Sequence, residues 1–458
     1  MFAFVLDFSN ECSYDLDIVI NYDSQVIIVT TPLDDKKALP IHDIMCIDCK
    51  SFFASTEAIK RGEHPLSAKI AVMSREESAG GLILAASPFS KQHYGVKLGT
   101  RRFEMNDQMG LEMVEPHMAD YIALNYKINL IYRQFTDDQH WFPYSIDESF
   151  IDVSHSHKLF GSNVEIAHQI QKRVFNRTGI ITTIGIGQNP LLAKLALDNA
   201  AKKQEPWIAQ WTYDDVPTTV WQIRNLADMW GIGDRTAAHL NRIGIYTIKE
   251  LAFADLNKLK QTFGILGEQL YYHAWGIDYS NISNRYLPRS DNKGYGNSQI
   301  LMRDYTDFSE LNTVLEEIAD QVATRLRKNN VVAQVVTIFI GMATTDHQGR
   351  THFSAQTSIE ATDLTHSIAN AVCYLLKSKW DGSAVRSVGV RCSRLSPKHD
   401  TQFNLFEDPI RTLNHEKLEQ IIDEIRKRYG YKALIRASSK TRGGTAIQRA
   451  NLVGGHQA

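Results

Sequence analysis

Long apolar runs are missing from this chain, which nowhere approaches the roughly 20 consecutive apolar residues of a membrane helix. A membrane-spanning role is therefore not expected. Cysteine is scarce, at 5 in 458 residues. Cys46 and Cys49 stand three apart, but no second pair completes a zinc site, so buried, reduced thiols are expected rather than a disulfide framework. Charge of one sign is lacking too: the formal net charge is −2. This excludes a protein coated in positive charge but not one that binds nucleic acid through a local patch. The start, MFAFVLDFSNEC, lacks a basic region and carries Asp7, so neither a signal peptide nor export is expected, and the cytoplasm is the default.

What is present is ordinary globular composition, 43% hydrophobic and 22% charged, over a length that suggests roughly three domains. Residues 1–40 read as an extension of unknown role. From Ile41 the pattern sharpens. IHDIMCID is a short apolar strand ending on Asp48, and SFFASTEAIKRG reads as a helix closing near Gly62. KIAVMS is a buried strand, and SPFSKQHYG predicts a short helix stopped at Gly95. Helices follow at about 120–135 and 163–177, with FPYSIDESFIDVS between them as a strand. GIITTIGIG is another strand, and Asn189-Pro190 opens the helix LLAKLALDNAAKK. The alternation predicts one mixed α/β region over 41–213. A mostly helical stretch covers 214–288. A separate α+β domain covers 289–405, and 406–458 forms a tail whose end is rich in Lys and Arg.

Asp48 ends one apolar strand, and Asp147-Glu148 lie within another. Charged groups in an apolar strand cost several kcal/mol if dry and unpaired. Divalent cations would remove that cost, but a water-facing acid pair would satisfy the same spacing. Adjacent strand residues face opposite ways, so Asp147 and Glu148 converge only at a turn or distortion.

The text around these acids, IDCKSFFASTE followed by YSIDESFIDVS, resembles the Y-family translesion DNA polymerases, in particular their UmuC-like bacterial branch, over about residues 41–410. The resemblance implies an α+β right-hand fold (palm, fingers and thumb) with a C-terminal little finger. It implies a DNA-directed DNA polymerase that copies primer–template DNA with dNTPs and two Mg²⁺ ions. Asp48, Asp147 and Glu148 match the metal-binding carboxylates, and Cys49 the residue lending a backbone carbonyl. Phe53 matches a planar gate beneath the sugar, and Lys194 a triphosphate-binding lysine. The fingers text departs from the family: Phe89 lacks an aromatic hydroxyl and Gln92 stands where a base is expected, leaving Lys91 as the substitute.

Downstream, LADMWGIGDRTAAHLNRIGIYTIKELA resembles a helix–hairpin–helix whose Gly231-Ile232-Gly233 turn presents N–H groups to a DNA phosphate. FGILGEQL is a looser second copy. Residues 293–395 match the little finger, where Arg386, Arg391 and Arg394 are candidate phosphate contacts. QFNLFED resembles a clamp-binding peptide, with Gln402, Leu405 and Phe406 filling a groove on the bacterial sliding clamp. Accessory subunits remain an open partner class. A non-catalytic scaffold that binds DNA and the clamp, or another palm-type enzyme such as a nucleotide cyclase, would share parts of this pattern.

Overall fold

The computed structural model describes residues 18–22, 25–29, 31–34, 38–74, 81–105, 110–283, 293–398, 409–453 and 456–457. The chain forms two compact units, Met1–Arg285 and Tyr286–Ala458. Among the described residues no helix is long and apolar enough to cross a membrane.

The first unit opens with an antiparallel hairpin of β1 (Ile18–Tyr22) and β2 (Gln25–Val29). The extension does not end as a detached arm: Leu33 and Leu39 are buried in the same core as the helical segment around Trp275. Then come β3 (Ile44–Cys49), α1 (Phe52–Lys60), β4 (Ile70–Met73), β5 (Ile83–Ala86) and α2 (Pro88–Tyr94). Ser87 caps α2, Pro88 sits in its first turn and Gly95 closes it in the left-handed conformation, the stop expected from the text. They are followed by β6 (Glu112–Val114), α3 (Met118–Tyr132), β7 (Trp141–Pro143), β8 (Glu148–Asp152), α4 (His157–Phe160) and α5 (Asn163–Thr178). Last come β9 (Thr182–Gly187), α6 (Pro190–Ala196) and β10 (Ile208–Trp211).

Five strands form the central sheet in the order β10-β9-β3-β8-β7, and β5-β4-β6 form a small second sheet. The segment FPYSIDESFIDVS is two strands of a hairpin rather than one, and Asp147 lies in its turn. Four helices complete the unit: α7 (Asp234–Arg242), α8 (Ile248–Ala252), α9 (Leu256–Phe263) and α10 (Ile265–Ala274). Their core joins that of α6 through Leu191, Leu192 and Leu195.

The second unit runs β11 (Gly294–Tyr305), α11 (Phe308–Lys328), β12 (Val331–Met342), β13 (His352–Thr362), α12 (Thr365–Lys379) and β14 (Val385–Pro397). Its antiparallel sheet has the order β11-β14-β12-β13. Val336, Ile338 and Ile340 alternate inward against α11 and α12.

The tail belongs to this unit. Helix α13 (Pro409–Tyr429) docks by its ionic face. Arg426 meets Asp320 at 2.6 Å, and Asp423 meets Arg327 at 2.6 Å. Arg436 reaches Asp320 at 3.1 Å, and Thr445 donates to Glu317 at 2.8 Å. The sequence leaves these bases open between a solvated end and a nucleic-acid contact. In the structure Arg426 and Arg436 neutralise an aspartate that is almost wholly buried.

Candidate active site

The site is built on a cross-strand row. Strand β3 pairs on both edges, so Asp48 lies opposite Glu148 of β8 and opposite Thr183 of β9. Side chains directly opposite share a face, which brings the two carboxylates together. Asp147 reaches them from the hairpin turn, where Cys49 N–H donates to its carbonyl at 2.8 Å. Ser145 Oγ donates to its carboxylate at 2.7 Å. The turn resolves the conflict of two adjacent strand residues facing opposite ways.

What covers this row follows from glycine. On the same face of β9, Gly185 and Gly187 replace side chains with space, and α6 lies directly on the sheet. A Cβ at Gly185 would come 2.1 Å from the Ala193 carbonyl, and one at Gly187 would come 2.3 Å from the Ala193 nitrogen. At Leu197–Ala201 the helix widens into a π-turn. Lys194, Asp198 and Lys202, spaced by four, then hang over the acids.

Lys194 donates to Glu148 Oε1 and pairs with Asp198 at 3.1 Å. Lys202 pairs with Asp48 at 3.1 Å and with Asp198 at 2.9 Å. Burial is the largest influence on Asp48 and pushes its carboxyl up to about 6; Lys202 opposes that shift, while Asp147 and Glu148 add to it. Burial works against the charge of Lys202 as well, but Asp48 and Asp198 overcome it and hold its pKa up. Cys46 lies behind Glu148, its thiol donating to Oε1 at 3.2 Å, and burial keeps that thiol protonated.

A divalent cation fits the chemistry of these donors, since carboxylate oxygens suit hard ions. Thr183 Oγ1, on the same row, is buried without a hydrogen-bond partner among the described residues. The acids as placed are not a closed cage. Among the described residues no three His, Cys, Asp or Glu side chains are gathered tightly enough to grip an ion. Here lysine ammoniums hold Asp48 and Glu148.

Other predicted residues fall around this centre. Phe52 is core, whereas Phe53 is half-buried and stacks on Tyr121 with ring centres 4.4 Å apart. Lys91 reaches Ser51 Oγ at 3.0 Å, beside Asp48. Phe89 instead stacks on His93 of its own helix at 3.8 Å. Sequence reading missed Lys202, Asp198 and Tyr121. The four-residue spacing from Lys194 was the available signal for the first two.

Comparisons with known proteins bear on the family and the fold. The impB/mucB/samB family profile matches residues 47–198, and the profile of that family's C-terminal domain matches 292–405. A protein of Bacillus subtilis (strain 168) named for UV-damage repair, UvrX, is 39% identical over 424 residues, covering 93% of this chain and all of that protein. DNA polymerase IV 2 of the same organism is 38% identical, covering 90% of this chain and 98% of its own. The chain belongs to the Y family of translesion DNA polymerases. DNA polymerase IV of Moorella thermoacetica is 34% identical over 88% of this chain and 97% of its own. A Y-family DNA polymerase chimera of Dbh and Dpo4 shares the fold, with a TM-score of 0.61 at 19% identity, covering 78% of this chain and 99% of that one.

Within this Y-family chain the remaining candidates lie on two surfaces, one in each unit. In the first, Ile232 is buried in the helical core and pins the hairpin, while a Cβ at Gly231 or Gly233 would meet nothing within 4 Å. Helix α7 begins there without a side-chain cap, leaving N–H groups directed outward. The looser copy differs: a Cβ at Gly267 would come 2.1 Å from the Leu259 carbonyl, so this glycine serves close helix packing.

In the second unit the sheet face away from α11 and α12 carries Gly296, Ser298, Ser387 and Gly389, with Arg391 exposed between them and the exposed apolar Ile300 and Phe339 on the same face. Arg386 is tied to Asp304 at 2.7 Å. Arg394 stands near the strand end with φ 51°. Gln402, Leu405 and Phe406 lie outside the described residues.

Proposed function

We propose that this protein is a template-directed, error-prone DNA polymerase that extends a primer past damaged bases, with Asp48, Asp147 and Glu148 as its reaction centre. The proposal rests on the acidic row and on relatives, named as DNA polymerases, that align over nearly their whole length. The substrates are primer–template DNA and dNTPs, and the metal is Mg²⁺, two ions held by the three acids and the Cys49 carbonyl. When bound, such ions activate a primer 3′-hydroxyl and neutralise the triphosphate.

The chain's own residues divide the remaining work. Lys194, nearly buried, holds the Glu148 carboxylate in place beside the triphosphate contact expected from the text. Lys202, more exposed, and Lys91 face the triphosphate, where point charges suit developing phosphate charge. The Phe53 ring lies beneath the sugar and rejects a 2′-hydroxyl. Gly231, Gly233 and Arg391 hold the DNA backbone without reading sequence. Gln402, Leu405 and Phe406 tether the enzyme to the sliding clamp, raising the effective concentration of the primer end.

Primer extension on undamaged and abasic templates tests this reading. It expects Mg²⁺-dependent synthesis on both; nucleotide addition that ignores the template would refute it.

A further inference from the structure

One charged residue beside the acidic row has no part in the roles above. Lys50 follows Asp48 by two residues and precedes Phe53 by three, at the junction of β3 and α1. Its backbone is fixed, because its N–H donates to the Ile181 carbonyl at 2.9 Å. The next residue, Ser51, turns the chain with φ 49° and ψ 47°.

The Lys50 ammonium lies 5.2 Å from the centre of the Trp207 ring and 3.4 Å from the Lys202 carbonyl, a long hydrogen bond. Among the described residues neither Lys50 nor Lys91 has a carboxylate partner. Three ammoniums therefore converge on this junction from three elements: Lys50 from its own chain turn, Lys91 from α2 and Lys202 from beyond α6. Helix α1 adds an amino end with no side-chain cap and no acid in its first turn. Lys202 is balanced by Asp48 and Asp198, but Lys50 and Lys91 are not held by a carboxylate, and two such ammoniums close together are unfavourable on their own and favourable around a polyanion. Trp207 supports the arrangement. It holds a left-handed backbone, φ 60°, while its carbonyl accepts the Ile184 N–H at 2.8 Å, so its ring is a fixed floor under the lysine stem.

We propose that Lys50 is a ligand of the incoming nucleotide's triphosphate, reaching its terminal phosphate oxygens together with Lys91 and Lys202. The inference rests on the polymerase reading and adds to it a palm-side grip. That grip serves a site whose fingers helix turns Phe89 onto His93 instead.

The test is single-nucleotide insertion by the full-length protein and its Lys50→Met and Lys50→Arg variants, with melting temperatures measured alongside. Methionine keeps an apolar stem over Trp207 and removes only the charge. Lys50→Met is expected to raise the KM for dNTP about tenfold with kcat within about twofold, and Lys50→Arg to recover most of the loss. Competition by a dNTP and by its dNDP should also become more alike in Lys50→Met, because the lost contact is to the terminal phosphate. A merely structural lysine would not move that ratio. An unchanged KM and dNTP/dNDP ratio in Lys50→Met would overturn the inference while leaving an active wild type intact. A wild type that extends no primer would remove the polymerase reading itself.

Discussion

The ring of Phe53 lies almost parallel to that of Tyr121, 15° between planes and 4.4 Å between centres, and the Tyr121 hydroxyl donates to Glu57 at 2.8 Å. Glu57 is itself held by Arg61 and His117. The proposed gate must not yield, and this stack gives Phe53 a rigid back. Phe53→Ala is expected to raise ribonucleotide incorporation on the order of 100-fold, the scale of a few kcal/mol of lost steric rejection. Tyr121→Leu, which removes only the backing ring, should raise it less. The ratio of dNTP to rNTP insertion efficiency measures both, and an unchanged ratio in Phe53→Ala would remove the gate.

The two lysines over the acids should separate by phenotype. Lys194 and Glu148 are both nearly buried, so Lys194→Met leaves a carboxylate without its partner and is expected to cost about 3 kcal/mol of stability. Lys202→Ala, at a more open pair, should leave melting nearly unchanged while raising the KM for dNTP. Equal melting of the two variants would contradict the division of labour.

Gly185→Ala tests how the helix reaches the row. The new Cβ would come 2.1 Å from the Ala193 carbonyl and 2.3 Å from the Leu197 nitrogen, both backbone atoms that cannot turn aside. The expected outcome is a loss of roughly 2–3 kcal/mol by overpacking, with a matching fall in activity as Lys194 and Lys202 are displaced. Wild-type melting and turnover in this variant would show that α6 does not depend on the glycine.

The tail should behave as part of the domain. Asp320→Ala leaves Arg426 and Arg436 without their shared partner at a buried position, and should lower the melting of the C-terminal unit by about 5–10 °C. Primer extension at low temperature should change little.

The convergence of the acids was readable because they sit in short, distinctive text next to strongly apolar strands. The helix stop at Gly95 was readable for a similar local reason. A turn was required for Asp147 and Glu148 to converge, but its place was not legible, because the hairpin turn inside SIDESF carries no glycine or proline to announce it. Lys202 was missed because the π-turn that aims it depends on how closely α6 lies on Gly185 and Gly187, a contact between segments. The docking of the tail was not legible for the opposite reason: its bases are counted in sequence without the acids of α11 that they meet. Local chemistry shows in sequence; pairing across the fold does not.

The central claim is that Asp48, Asp147 and Glu148 form the reaction centre, and Asp147→Ala tests it most directly. This turn residue has no lysine partner among the described residues, so its loss should perturb folding least. With Mg²⁺ and saturating dNTP, single-nucleotide primer extension by Asp147→Ala is predicted to fall by about 10³-fold or more while primer–template binding is kept. Extension within about tenfold of wild type would contradict the account.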